Sequence, residues 1–134
     1  MGAAWNDFAE LRECYEEPGT VVCEVGNGKL EKSHEKLQAG AAVISDTCGM
    51  VIGERKKNYK PIAVAGRVLV YFTGDKNKYK AGDAVCASFD GKIDKMTRRE
   101  IHKYPDRILG YVSEIPDYDE WNDVKVNNRI WIKI

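Results

Sequence analysis

Three carboxylates raise the first question of chemistry. Asp7, Glu10 and Glu13 recur every third residue in WNDFAELRECYEE, residues 5–17. On a helix, residues spaced this way stand near one face. Carboxylates held close together repel, so their pKa values separate and one keeps its proton near neutrality. A protonated and an ionised carboxyl side by side are what acid–base catalysis needs. The same residues also fit a solvated acidic face near a helix N-terminus, where the macrodipole favours negative charge. On the residues alone, the solvated face is the better-supported reading.

Other chemistry has less to stand on. The chain holds no GxxxxGK[ST], no HExxH and no GxSxG, and GNGK at 26–29 reads as a hairpin turn. The two histidines, His34 and His102, sit among charged residues and read as surface positions. Without a placed histidine, an activated Ser or Cys nucleophile has little support. Cys14, Cys23, Cys48 and Cys86 form no CxxC and have no histidine at metal spacing, so no metal and no cofactor are expected. They read as buried thiols in a reducing compartment, with a Cys23–Cys86 disulfide as the alternative. Arg67 and Arg129 stand inside apolar strands and are expected to pair structurally with acidic groups. Tyr118 and Trp121 read as exposed loop aromatics, suited to an inter-chain contact or a sugar platform.

The elements that must position these residues are written twice. PGTVVCEVGNGKLEK, 18–32, aligns with AGDAVCASFDGKIDK, 81–95, so that Gly19 falls on Gly82, Cys23 on Cys86 and Lys32 on Lys95. VAGRVLV, 64–70, matches VNNRIWI, 126–132, at nearly the same spacing, and between these blocks MVIGE, 50–54, resembles RILGY, 107–111. Ordered matches imply an internal duplication, with repeat 1 over 18–70 and repeat 2 over 80–134. Two copies are too few for a solenoid, which needs about three or more units. They suit one shared core.

Each repeat reads as hairpin, short helix, strand, loop and long strand. Gly26-Asn27-Gly28 and Asp90-Gly91 supply the hairpin turns. Ser33 is placed to cap a helical turn over SHEKLQ, and Thr97 to open a helix with Glu100 closing a capping box. The longest strand is IAVAGRVLVYF, and Val124 to Ile134 reads as one final strand. Residues 5–17 show helical spacing at Phe8, Leu11 and Tyr15. The expected fold is mainly β: a single compact barrel-like or two-sheet domain, 1–134, with two short helices.

Composition fits. The chain has 134 residues, 43% of them hydrophobic, and 21 basic residues balance 21 acidic ones. That balance argues against a nucleic-acid partner, which needs clustered Lys and Arg. No apolar run reaches the ~20 residues of a membrane helix. MGAAWNDF lacks the basic and apolar regions of a signal peptide, and MGAA fits a vector remnant.

The residues also resemble a family. WNDFAELRE is similar to the Asp-Tyr-Ala-Glu-Tyr-type segment that opens the C-terminal domain of some phage tail-spike and neck-appendage proteins. IAVAGRVLVYF, KAGDAVCASFDGKIDKMT, YPDRILGYVSEIPDY and VNNRIWIKI resemble C-terminal modules of phage and prophage tail proteins, covering most of 61–134. Leu11 stands where that family has an aromatic. The resemblance implies an intramolecular chaperone that assembles as a homotrimer and nucleates folding of the upstream fibre segment of the same polypeptide. It then releases itself by glutamic-type self-cleavage, acting in the host cytoplasm during assembly and ending in the virion or free. It implies a catalytic role for Asp7 and Glu10, with Glu13 the neighbouring carboxylate. The alternative is a non-catalytic fibre-tip or capping module that binds a host-surface ligand through the Trp121 loop and the basic loop 54–60.

Overall fold

The computed structural model describes residues 6–134; Met1 to Trp5, and with them the first residue of WNDFAELRE, lie outside the described residues. The described chain is mainly β. Strands β1 (Asp7–Glu13), β2 (Val21–Gly26), β3 (Lys29–Lys32), β4 (Ala41–Val43), β5 (Cys48–Ile52) and β6 (Tyr59–Val70) form the first part. Strands β7 (Ala84–Ala87) and β8 (Ile93–Lys95) come next. Helix α1 (Arg98–Lys103) follows, then β9 (Gly110–Glu114), β10 (Glu120–Trp121), β11 (Val124–Lys125) and β12 (Ile130–Lys133).

One open sheet of seven strands runs β5-β1-β6-β12-β9-β7-β8, beside a three-stranded sheet β3-β2-β4 and a ribbon β10-β11. No described sheet closes on itself, so the described chain is not a closed barrel but several packed sheets. Val21, Cys23 and Val43 of the small sheet pack with Val68, Val70, Val85, Val112 and Ile132 of the large one in a common core. An Ile44–Ile62 bridge ties the sheets together.

The hairpin turns form where glycine and asparagine allow positive φ: Asn27 at 53° and Gly28 at 72° close β2–β3, and Asp90 at 59° with Gly91 at 69° closes β7–β8. The two hairpins share one register. Cys23 faces Glu31 as Cys86 faces Asp94, and Val22 faces Lys32 as Val85 faces Lys95. A third strand joins each hairpin equivalently, with Val22 opposite Ala42 and Val85 opposite Gly110. Backbone bonds repeat too: Gly19 N–H to Ile44 O and Gly82 N–H to Val112 O are both 2.8 Å. The partner of β9 in this duplication is therefore β4, which corrects the MVIGE–RILGY match. β6 and β12 cross antiparallel at Leu69–Trp131, with Val68–Ile132 and Val70–Ile130 on either side. Those two pairs exchange under the 64–70 to 126–132 match, as strands related by a pseudo-twofold must.

The ion pairs obey the same relation. Arg129 reaches from the second half to Asp46 in the first, with two N···O contacts of 3.0 Å. Arg67 reaches from the first half to Glu114 in the second, at 3.4 Å. Each arginine also lies over an aromatic ring, Arg129 over Tyr71 and Arg67 over Trp131. All four cysteines are free thiols, and Cys14, Cys23 and Cys86 are fully buried. Burial pushes the Cys23 thiol up to about 11, as expected of an inert core thiol.

Three local expectations are overturned. Residues 33–40 form turns rather than a helix; Leu37 takes a φ of 65° and packs beneath α1, which ends the helical run. The second helix forms as read, with both bonds of the Thr97–Glu100 capping box present. Val124 to Ile134 is broken at Asn127 and Asn128, both left-handed at 52° and 60°. Residues 7–13 form a strand, not a helix.

Candidate functional site

The strand conformation of residues 7–13 decides what the three carboxylates can do. Successive side chains on a strand alternate between faces. Ala9 and Leu11 point into the core, and Asp7 shares their face at 5% exposure. Glu10 faces the other way and is exposed. Glu13 is exposed at the far end, where its carboxylate accepts a hydrogen bond from the Tyr15 hydroxyl. At ~3.3 Å per residue, Glu10 lies about 10 Å and Glu13 about 20 Å along the strand from Asp7. The helical face that would gather them is not formed, because the period is two. Asp7 stands apart from the other two.

Asp7 instead meets residues brought from the β4–β5 connection. β5 runs parallel to β1 and places Cys48 opposite Asp7. Just before it, the Thr47 hydroxyl donates to Asp7 Oδ1 at 2.8 Å, and the Thr47 N–H donates to Ser45 Oγ at 3.0 Å. Ser45 and Thr47 are 2% and 4% exposed. Asp7 Oδ2 is buried with no hydrogen-bond partner among the described residues, and so is the neighbouring Asn6 Nδ2. Each such atom costs roughly 1–3 kcal/mol of stability. Burial pushes the Asp7 carboxyl above its ordinary value of 3.8; the neighbouring Ser45 and Thr47 hydroxyls pull it down and the Asp46 charge pushes it up. A carboxyl of this kind holds its proton at higher pH than a surface one, which suits proton transfer.

The backbone is irregular on both sides of this position. Gly49 on β5 and Val64 on β6 are each an extra residue opposite β1, next to Phe8. Bulges re-aim side chains and concentrate beside functional sites. Gly66 faces Asp7 across the β1–β6 pair and has a φ of 100°. A Cβ there would run into the Asn6 carbonyl oxygen and come within 2.8 Å of Asp7 Cα. Gly66→Ala is therefore expected to push β1 off β6 and cost about 3 kcal/mol or more, combining a backbone clash with left-handed strain. Urea unfolding of the variant against wild type checks this.

The sequence motif grouped Asp7 with Glu10 and Glu13, whereas the structure places Ser45 and Thr47 beside Asp7. Ser45 and Thr47 escaped notice because they lie about forty positions away and meet Asp7 only through a parallel pairing. The available signal was three consecutive polar residues, Ser45-Asp46-Thr47, between two apolar stretches.

The loop aromatics are structural. Trp121 stacks edge-on against Trp131 at 5.3 Å, and Tyr118 accepts from Trp131 Nε1 at 2.8 Å while donating to Glu114. Neither ring is a free platform, which corrects their reading as exposed. A groove of about 630 Å³ beside them is lined by polar groups, among them Asp117, Asp119, Lys125 and Asn127. Among the described residues, no three His, Cys, Asp or Glu are placed to hold a metal ion, and no helix is long and apolar enough to cross a membrane. No protein-family model, curated protein or solved structure matches this chain.

Proposed function

We propose that this chain is the C-terminal assembly module of a phage or prophage tail-fibre or appendage protein, and that it severs itself from the upstream segment using Asp7. The observation that carries the reading is the buried Asp7 carboxyl at the first described strand, with a raised pKa and an Oδ2 that has no partner among the described residues. The resemblance of WNDFAELRE to the opening of self-cleaving phage domains puts the scissile bond just upstream of this segment. Asp7 takes a proton from an attacking water and returns it to the leaving amine as the peptide bond breaks. Thr47 holds the other carboxyl oxygen. The module trimerises, raises the effective concentration of the fibre ends to roughly millimolar, and so helps a fibre of high contact order to register. Its place is the host cytoplasm during assembly, then the virion or release.

The test uses the polypeptide with its natural upstream segment, followed by denaturing electrophoresis and mass spectrometry. Wild type is expected to break just before this domain. Asp7→Asn is expected to stay intact, a rate loss of roughly 10²–10⁴. Glu10→Gln and Glu13→Gln are expected to cleave within about tenfold of wild type, because Glu10 faces the other way and Glu13 lies about 20 Å along the strand. Cleavage of Asp7→Asn at the wild-type rate would overturn the reading.

A further inference from the structure

The connection between β4 and β5 supplies the hydroxyls around Asp7, and its three polar residues are tied in three directions. The Ser45 N–H donates to Pro61 O on β6 at 2.9 Å. The Thr47 hydroxyl donates to Asp7 Oδ1 at 2.8 Å, and the Thr47 N–H donates to Ser45 Oγ at 3.0 Å. Asp46, between them, meets Arg129 through two N···O contacts of 3.0 Å. Arg129 thus ties this stretch to the second half of the chain, 83 positions on.

Arg129 is itself held in place. It is buried just before β12, and its Nε and Nη2 donate to Val126 O and Lys125 O in the turn that precedes it. Those carbonyls set the plane of the guanidinium, so the fork offered to Asp46 has one orientation. A bidentate contact of this kind fixes distance and angle together, which a point charge does not. Among the described residues, the side-chain bonds of Arg129 go to Asp46, Val126 and Lys125, and none goes to Asp7.

We propose that Arg129 is a positioning residue of the Asp7 site, acting through Asp46 to set the Ser45 and Thr47 hydroxyls against the Asp7 carboxyl. The consequence is control in time. Asp7, Ser45 and Thr47 belong to the first half of the chain and Arg129 to the second. During synthesis the N-terminal part folds first, so the first three residues are in place before the fourth arrives. The Asp7 site is complete only when β12 has docked on β6. Self-cleavage then waits until the module has finished folding, and the module is not cut away before it has acted. That timing rests on the proposed function; the positioning does not.

Two variants keep the charge and spoil the fit. Arg129→Lys replaces the planar fork by a point charge, and Asp46→Glu lengthens a partly exposed arm by one methylene. In the ¹³C,¹⁵N-labelled chain, both are expected to raise the Asp7 titration midpoint and to speed amide exchange at Thr47. A hydroxyl bonded to a carboxylate favours its ionised form, so losing that bond moves the midpoint up. Asp46→Glu carries the test alone where Arg129→Lys does not fold. The core variant Val85→Ala, on β7, is the control, expected to lose stability and move neither reading. In the polypeptide with its upstream segment, both variants are expected to cleave about tenfold or more slowly at temperatures where they are folded. An unchanged Asp7 midpoint and unchanged Thr47 exchange in the folded variants would overturn the positioning role and leave Arg129 a purely structural residue. Shifted midpoints with cleavage at the wild-type rate would overturn the timing. Shifted midpoints in a protein whose self-cleavage ignores Asp7→Asn would overturn the proposed function and leave the positioning standing.

Discussion

Arg129→Ala is expected to lower the unfolding free energy by about 3 kcal/mol, the lower end of the loss from breaking a buried ion pair, because Arg129 is buried while Asp46 keeps partial access to solvent. Arg129 is 2% exposed, yet its guanidinium spends every direction on a partner. Nη1 and Nη2 hold both oxygens of Asp46 at 3.0 Å, Nε donates to Val126 O at 2.9 Å, and Nη2 donates to Lys125 O at 2.6 Å. Removing the side chain strands Asp46 and two carbonyls, and opens a void against Gly19 and Tyr71. Lysine does not rescue it, because a point charge cannot replace the planar fork.

The pseudo-symmetric partner provides the control. Arg67 and Glu114 are 37% and 41% exposed and meet at 3.4 Å. Arg67→Ala is expected to cost about 1 kcal/mol, typical of a surface pair with an added ring contact. For a domain of this size the difference corresponds to roughly 8 °C in Tm. Equal losses in the two variants would contradict the unequal burial described above.

Asp7→Asn is expected to act in the opposite direction at neutral pH. The folded pKa of Asp7 lies above its ordinary value of 3.8. The fold therefore favours the protonated form. The stability this gives is fully present below 3.8 and is lost as pH rises through the raised folded value. Asparagine stays neutral and loses nothing over that interval. The variant should match wild type in acid and exceed it at pH 7, while the Thr47 bond to Oδ1 is kept. Denaturant curves collected across the acid range check the crossing. A residue that destabilises its own fold in this way is characteristic of functional sites.

The sequence disclosed the hairpins and hid the strand that carries the site. Gly26-Asn27-Gly28 and Asp90-Gly91 announce their turns because so few residues adopt a positive φ without strain. The repeated register of Cys23–Glu31 and Cys86–Asp94 follows from those turns. β1 was obscured because Phe8, Leu11 and Tyr15 mimic a helical period, whereas the buried positions are Asp7, Ala9 and Leu11. A small alanine and a charged residue do not announce a core face. What fixes β1 as a strand is its position between β5 and β6, two partners remote in sequence. Tertiary pairing of this kind overrides local preference. The same remoteness concealed Ser45 and Thr47. Asn127 and Asn128, by contrast, were in view: two adjacent asparagines tolerate the left-handed turn that splits the last strand.

The proposed self-cleavage by this chain depends on a buried Asp7 whose charge the fold disfavours. The most direct measurement is a ¹³C NMR titration of the Asp7 side-chain carboxyl in the intact chain. A midpoint clearly above 3.8 is predicted, with a further rise in Thr47→Val, where the hydroxyl that favours the ionised form is gone. A midpoint at or below 3.8, unmoved by Thr47→Val, would mean that Asp7 is an ordinary solvated carboxylate and would contradict the account.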